Sequence, residues 1–247
     1  MDGLDWQGPA WAGTYDKHFP ALEPDDPMLA LLSDLFPESS VLLEFGVGTG
    51  RVALPLADLG RDVVGVDISP DMLAVLRSKD NGRLQQIVEG SFTDISLGRE
   101  FDGVYAVFNT LGAVLSASDQ LEAIKCAMAH TRPGGRVVIE NSNPVLTTRG
   151  YEYGQLWVVK ELSRQGMHVM AGRHDAGAQY IRLRHMFFGE GGIQTLPADV
   201  RYIWPSELQL MGRLAGFEVE ATYGDWDRST YSSESPCFIV VFRNPGR

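Results

Sequence analysis

The chain has 247 residues, 44% of them hydrophobic, enough to bury a full core as one α/β domain or as one domain carrying an insertion. Its 21 Lys and Arg against 32 Asp and Glu leave a net charge of −11, which works against the phosphate-backbone contacts that nucleic-acid partners require. The opening "MDGLDWQGPA" has no basic region and no apolar run of signal length, "CFIVVF" is too short to cross a bilayer, and Cys126 and Cys237 form no C-x-x-C pair. The expected setting is cytoplasmic, with no membrane partner, no metal and two buried reduced thiols.

From about residue 40 to 142, strand-like apolar runs alternate with amphipathic stretches, the mark of βαβ units in a parallel sheet. Strands are expected at "SVLLEFG", "DVVGVDI", "LQQIVEG", "FDGVYAVF" and "GGRVVIEN". Between the first two, "RVALPLADLG" has helical period and ends on Gly60 as a C-terminal cap, and Pro55 predicts a short or kinked helix. In "DISPDMLAVLRSK", Ser69 reads as N-cap, Pro70 as the first helical residue and Asp71 as a partner of the positive helix end. A third helix, "SDQLEAIKCAMAH", runs into a turn at "RPGG".

Near residue 143 the pattern changes to glycine-punctuated strands, "GQLWVVKEL", "GMHVMAG", "QYIRLRHMFF" and "IQTLPADVRYIW", which predict an antiparallel insertion. "PSELQLMGRLAGFEVEATYG" returns to helix and strand, and "PCFIVVFR" closes the sheet. The expected divisions are an N-terminal lid segment over 1–39, a core over 40–142, the insertion over 143–200 and the rest of the core over 201–247.

The first strand opens into "EFGVGTG", where glycines give a ligand close access to the main chain and its N–H groups. Gly46, Gly48 and Gly50 form G-x-G-x-G, whereas the usual dinucleotide fingerprint has its third glycine where Arg51 stands, and no Lys-Ser/Thr follows for a P-loop. Asp67 ends the second strand, where a carboxylate can accept from both hydroxyls of a ribose. That pairing fits either class of adenosine cofactor.

"VLLEFGVGTGRVALPLADLGRDVVGVDISPDML" resembles the first two motifs of class I S-adenosylmethionine-dependent methyltransferases. "FDGVYAVFNTLG", "TRPGGRVVIEN" and "WPSELQLMGRLAGFEVEATYG" resemble the later motifs in the same order. The resemblance implies a Rossmann-like α/β fold, a mostly parallel sheet with an antiparallel last strand, the β insertion covering the active site. It implies S-adenosylmethionine as cofactor, with Glu44, Gly46, Gly48, Gly50 and Arg51 about its methionine end, Asp67 on the ribose, and Ile68 and Met72 flanking the adenine. Many relatives carry Gly-Asp in the loop that meets the adenine amino group; this chain has "EGSFTD", which leaves Ser91 and Phe92 at that end.

The tyrosine of "YD" near the N-terminus, the insertion and the ending "YGDWDRSTYSSESPCFIVVFR" resemble small-molecule N-methyltransferases such as glycine N-methyltransferase and the amino-sugar methyltransferases of natural-product pathways. The implied activity is methyl transfer to a small-molecule amine, with Tyr15 closing over the cofactor and Trp11 beside it. Asn109 ends the fourth strand, where ligands collect in open α/β sheets, and Glu140 and Asn141 end the fifth. Trp204, Trp226 and Tyr231 are candidates to wall the pocket or hold a cationic amine. Strand alternation puts His185 on one face with Ile181, Leu183 and Phe187, as a base for O-methylation or as a buried structural histidine. His18 and His130 fall in expected surface segments, His168 and His174 in or near turns. An O-methyltransferase and a non-catalytic cofactor-binding module are the alternative readings, and a homo-oligomer is compatible with either.

Overall fold

The structure, a computed structural model, describes residues 9–152, 154–163 and 166–246; residues 1–8 of the expected lid lie outside them. The N-terminal segment forms α1 (Pro9–Ala12), α2 (Tyr15–His18) and α3 (Pro27–Leu35). Then β1 (Val41–Phe45), α4 (Ala53–Asp58), β2 (Asp62–Asp67), α5 (Pro70–Asp80), β3 (Gln86–Glu89) and β4 (Phe101–Ala106) follow in alternation. A 3-10 turn (Thr110–Ala113) leads to α6 (Ala117–Ala129), β5 (Thr131–Ser142) and α7 (Pro144–Thr147).

The insertion contributes β6 (Gln155–Leu162), β7 (Gly166–Asp175), β8 (Tyr180–Gly189), β9 (Gly192–Pro197) and β10 (Val200–Arg201). The chain ends on α8 (Pro205–Leu214), β11 (Glu218–Tyr223) and β12 (Cys237–Arg243). Strand order in the large sheet is β11-β12-β5-β4-β1-β2-β3, with β12 antiparallel to both neighbours and β1 to β5 parallel. The second sheet, β10-β8-β7-β6 with β9 on β8, is antiparallel throughout.

Period-2 alternation explains the layers. Leu42 and Val63 face one side of the large sheet, where α3, α4 and α5 supply Leu32, Leu56 and Leu73. Leu43 and Val64 face the other, against Ile124 of α6 and Leu208 of α8. Both faces are therefore apolar, as a covered parallel sheet demands. Local signals behave as expected: Ser69 Oγ accepts from the Met72 N–H at 3.2 Å, and Gly60 takes φ +83° just past α4, which is cut to six residues around Pro55. Cys126 and Cys237 are buried free thiols.

Some features differ from expectation. "RPGG" is not a separate turn but the irregular start of β5, where the β4 register shifts between Phe101 and Gly103. His130 is buried rather than at the surface: its Nε2 accepts from the Leu97 N–H at 3.1 Å, closing the loop before β4. His168 and His174 lie within β7, because that hairpin extends past the glycine at 172.

The insertion is fastened to the core where it ends. Arg201 pairs with Glu207 at 2.6 Å, and Gln120 of α6 donates to the carbonyls of Leu111 and Arg201 at 3.2 and 3.1 Å. The first turns of the N-terminal segment are tied both to the insertion and to the core. Trp11 is fully buried and its Nε1–H donates to Pro197 O at 2.6 Å, while Asp16 accepts from Thr49 Oγ1 and from Lys79 Nζ, each at 2.6 Å.

Gly50 turns at φ +84°, and a Cβ there would stand 2.4 Å from Leu76 Cδ1 and 2.9 Å from Leu54 Cγ. Left-handed strain and overpacking add, so Gly50→Ala is expected to lower stability by about 2–4 kcal/mol. Urea denaturation with an unchanged m-value checks this; a loss below 1 kcal/mol would mean that the turn has room to relax.

Candidate active site

The carboxyl ends of β1, β2, β4 and β5 form the floor of a cavity of about 580 Å³, walled by the N-terminal helices on one side and by the insertion on another. Gly46 and Gly48 line it with φ of +70° and +53°; a Cβ on Gly46 would stand 2.5 Å from Thr110 Cγ2, while Gly48 leaves its main chain facing the cavity. Gly50 and Arg51 lie on the outer side of the turn, beside a separate cleft of about 340 Å³ under the segment carrying Asp16 and Leu22.

Asp67 reaches across from β2. Its Oδ2 accepts from the Gly48 N–H at 2.8 Å and its Oδ1 from the Ser69 N–H at 2.9 Å. Each carboxylate oxygen retains acceptor capacity toward the cavity. Burial raises its pKa, and the backbone donors at Ser69, Gly48 and Ile68 oppose that. Ile68, Met72 and Phe92 form an apolar slot beside it, with Phe92 stacked on Phe45 at 5.3 Å. Ser91 is outside the cavity lining, its hydroxyl bonded to Thr93 Oγ1 at 2.7 Å.

Glu44 is buried beneath the turn and accepts from the Tyr105 hydroxyl at 3.0 Å. Burial pushes its carboxyl up to about 8, opposed by that hydrogen bond. The Arg51 guanidinium lies over the Phe108 ring at 4.5 Å, Nε donates to Pro20 O at 3.0 Å, and Nη1 is buried with no hydrogen-bond partner among the described residues. A buried guanidinium N–H without an acceptor suits an anionic ligand group.

Tyr15 and Phe19 close the cavity from the N-terminal side, their rings 5.1 Å apart, and burial lifts the Tyr15 hydroxyl well above the ordinary phenol range. Trp11 backs Tyr15 from behind, at 6.3 Å, without lining the cavity. Across the floor, Phe108 and Asn109 take φ of 59° and 60°, two consecutive non-glycine residues in the left-handed region. Such strain persists only where surroundings enforce it, and here the Asn109 N–H donates to Glu140 Oε2 at 3.2 Å while Asn109 Oδ1 accepts from Asn141 Nδ2 and the Ser142 N–H. Burial pushes Glu140 up to about 7, against the backbone donors at Asn109 and Phe108.

The structure thus gathers Tyr15, Gly46, Gly48, Asp67, Ile68, Met72, Phe92, Asn109, Glu140 and His185 about one cavity. Asn141 is buried behind Asn109 and orients it. Three aromatic candidates stand elsewhere. Trp204 is 40% exposed before α8, Trp226 packs on the helix-covered core, and the Tyr231 hydroxyl donates to Asn143 Oδ1 at 3.0 Å. None of the three is among the residues that line this cavity. Conversely, Phe19, Phe108, Thr110, Tyr151, Lys160 and Met170 line the cavity without having been singled out, since no local spacing marks residues brought together from separate segments. Among the described residues no group of His, Cys, Asp and Glu is placed to hold a metal ion, and no helix is long and apolar enough to cross a membrane.

A mixed sheet with this strand order, a glycine turn after β1 and an acid at the end of β2 define a nucleoside-cofactor enzyme of the doubly wound α/β class. Residues 42–135 match the family described as Methyltransferase domain. The solved CcbJ methyltransferase from Streptomyces caelestis is 33% identical, with a TM-score of 0.90 and full coverage of both chains. The cypemycin N-terminal methyltransferase of a Streptomyces species is 27% identical over 228 residues, 92% of this chain and 93% of that protein. A dTDP-3-amino-3,6-dideoxy-alpha-D-glucopyranose N,N-dimethyltransferase from Streptomyces fradiae is 33% identical over 113 residues, 46% of this chain and 44% of that one. The chain belongs to the S-adenosylmethionine-dependent methyltransferases, and S-adenosylmethionine is its cofactor.

Two predictions follow from the charges at the floor. Asp67→Ala removes an acceptor for the cofactor and a clamp on Gly48, and is expected to weaken S-adenosylhomocysteine binding by about 1.5–3 kcal/mol in a folded protein; calorimetry giving wild-type affinity would remove Asp67 from the site. Glu44 and Glu140 bind a proton more tightly folded than unfolded, so their stabilising effect is full below about 4.3 and is lost as pH rises through about 7 and 8. The ligand-free protein should therefore melt lower at pH 9 than at pH 6, with a shallower slope in Glu44→Gln; identical slopes in variant and wild type would refute the assignment to Glu44.

Proposed function

We propose that the protein transfers a methyl group from S-adenosylmethionine to the nitrogen of a small-molecule amine, in natural-product biosynthesis. The observation that carries this reading is the continuous cavity of about 580 Å³, which runs from the glycine turn and Asp67 past Asn109 and Glu140 to the insertion wall at Met170, Leu183 and His185. It has room for a nucleoside cofactor and a small acceptor side by side under one cover. The named activities of the cypemycin and amino-sugar relatives, both transfers to nitrogen, support the choice of acceptor atom.

S-adenosylmethionine supplies a methyl group on a cationic sulfur. The chain's part is to place an acceptor lone pair in line with it and to exclude water, and orientation alone contributes about 7–11 kcal/mol in favourable cases. In this reading Asp67 accepts from the ribose hydroxyls, Ile68, Met72 and Phe92 flank the adenine, and Arg51 meets the carboxylate, with Glu44 and Gly46, Gly48 and Gly50 shaping that end. Tyr15 and Phe19 cover the cofactor, and the acceptor lies between Asn109, Glu140 and His185. Residues 9–39 act as the lid segment, 143–200 as the acceptor cover, and 40–142 with 201–247 as the cofactor core. A histidine in the wall also suits a hydroxyl acceptor, which makes O-methylation the second reading. The acidic net charge speaks against a nucleic-acid partner.

A metabolite screen with S-adenosylmethionine, reading S-adenosylhomocysteine release together with product mass, tests the assignment. An amine gaining one methyl is the expected result; exclusive gain on hydroxyls overturns the choice of nitrogen, and no methyl gain across the library overturns small-molecule methylation. Tyr15→Ala, which strips the cover, is expected to lower kcat/KM by about tenfold to a hundredfold through lost apolar contact, while Tyr15→Phe keeps most of the activity if the ring alone packs. Full activity in Tyr15→Ala would remove the lid from the mechanism.

A further inference from the structure

His168 and His185 stand on adjacent strands, β7 and β8, with His168 Nε2 at 2.9 Å from His185 Nδ1. His185 is buried and lines the cavity; His168 is only partly covered, and its ring stacks at 4.2 Å on Phe187, which stacks at 3.9 Å on His18 of α2. The pair spans the insertion sheet from the cavity toward the surface. Two imidazole nitrogens at this distance share one proton, so the tautomer of each ring dictates that of the other.

A small amine arrives from water mainly as an ammonium ion, and its nitrogen must lose a proton before it has a lone pair to give. Under a closed cover that proton needs a route out. We propose that His185 and His168 form a two-residue conduit that carries the acceptor's proton from the cavity to solvent; this rests on the amine reading above. The acceptor N–H bond breaks as its proton joins His185 Nε2, the proton on His185 Nδ1 passes to His168 Nε2, and the proton on His168 Nδ1 leaves to water. The electron pair stays on the acceptor nitrogen, and neither ring keeps a net charge. When the cover opens, water restores the starting tautomers.

The surroundings explain why a second ring is needed. Burial lowers the His185 pKa to about 4, helped by His168, Lys160 and His18, so His185 by itself is a poor resting place for a proton at neutral pH. His168 is also lowered, by burial first, then by His18 and Lys160, with Glu161 opposing. Among the described residues the charged and titratable groups acting on the pair are thus His18 from α2 and Lys160 and Glu161 from β6; His18 and Lys160 disfavour a charged ring at both positions, and Glu161 opposes them at His168 alone. Such a field favours handing the proton on over storing it. His168 is a positioning and relay residue, and His185 the one that meets the acceptor.

The test joins a spectroscopic arm, which needs no acceptor, to a kinetic one. Histidine-selective 15N NMR of the full chain with S-adenosylhomocysteine at pH 7 should show His185 neutral and protonated at Nδ1, hydrogen-bonded to a bare His168 Nε2. A His185 protonated only at Nε2, or no bond between the rings, overturns the conduit whatever the acceptor proves to be. In the kinetic arm, His168→Gln keeps an acceptor for the Nδ1 proton but cannot pass it on, and His168→Phe removes both functions. For an amine found in the screen, kcat is expected to fall about tenfold to a hundredfold in both variants at little change in KM. The acid limb of the pH–rate profile should move toward the free amine's own pKa. A His168→Gln enzyme with wild-type kcat and pH profile, its His185 tautomer intact, overturns the relay. Methylation of hydroxyls alone overturns the amine reading instead, and the NMR result then decides the pair.

Discussion

The Asp67 carboxylate is the point on which the site depends. It accepts from Gly48 in the turn after β1 and from Ser69 at the start of α5, so one side chain ties the two loops together. The left-handed turn at Gly46, Gly48 and Gly50 is held besides by the Gly46 and Val47 N–H groups on Val66 O, at 2.8 and 3.0 Å, and by Thr49 on Asp16. The same carboxylate, desolvated and held by one backbone donor on each oxygen, faces the cavity with acceptor capacity to spare. Binding a nucleoside there needs little reorganisation, which is what a preorganised site offers.

From that floor the structure builds upward by fastening two outlying pieces to it. The N-terminal helices are held to the glycine turn through Asp16 and Thr49, and to the insertion through Trp11 and Pro197. The insertion is held to the core through Arg201, Glu207 and Gln120. The N-terminal helices thus contact both other parts, since α2 touches the turn through Asp16 and the ring stack of Phe187 and His168 through His18.

The strained pair Phe108 and Asn109 shows the same logic on a smaller scale. Two left-handed residues at the end of β4 bring the Phe108 ring under Arg51 and turn the Asn109 N–H toward Glu140. Glu140 and Asn141, a carboxylate and an amide from β5, hold that geometry from behind.

Much of this was legible in the residues themselves. Continuous apolar runs such as "VLLEF" and "DVVGVD" dictate strands buried on both faces, Ser69 and Pro70 dictate where α5 begins, and the spacing of Gly46, Gly48 and Gly50 before Arg51 separates the cofactor class from dinucleotides, because each rests on chemistry within a few residues of chain. That Asp67, Asn109 and Glu140 come together at one cavity was readable because the carboxyl ends of parallel strands collect at one edge. The aromatics Trp204, Trp226 and Tyr231 were not, nor were Phe108, Lys160 and the partnership of His168 with His185. Which way a loop aromatic turns, and which rings meet across two antiparallel strands, depends on sheet register and on how the insertion settles on the core. Those are set by packing between segments far apart in the chain, and only the tertiary structure decides them.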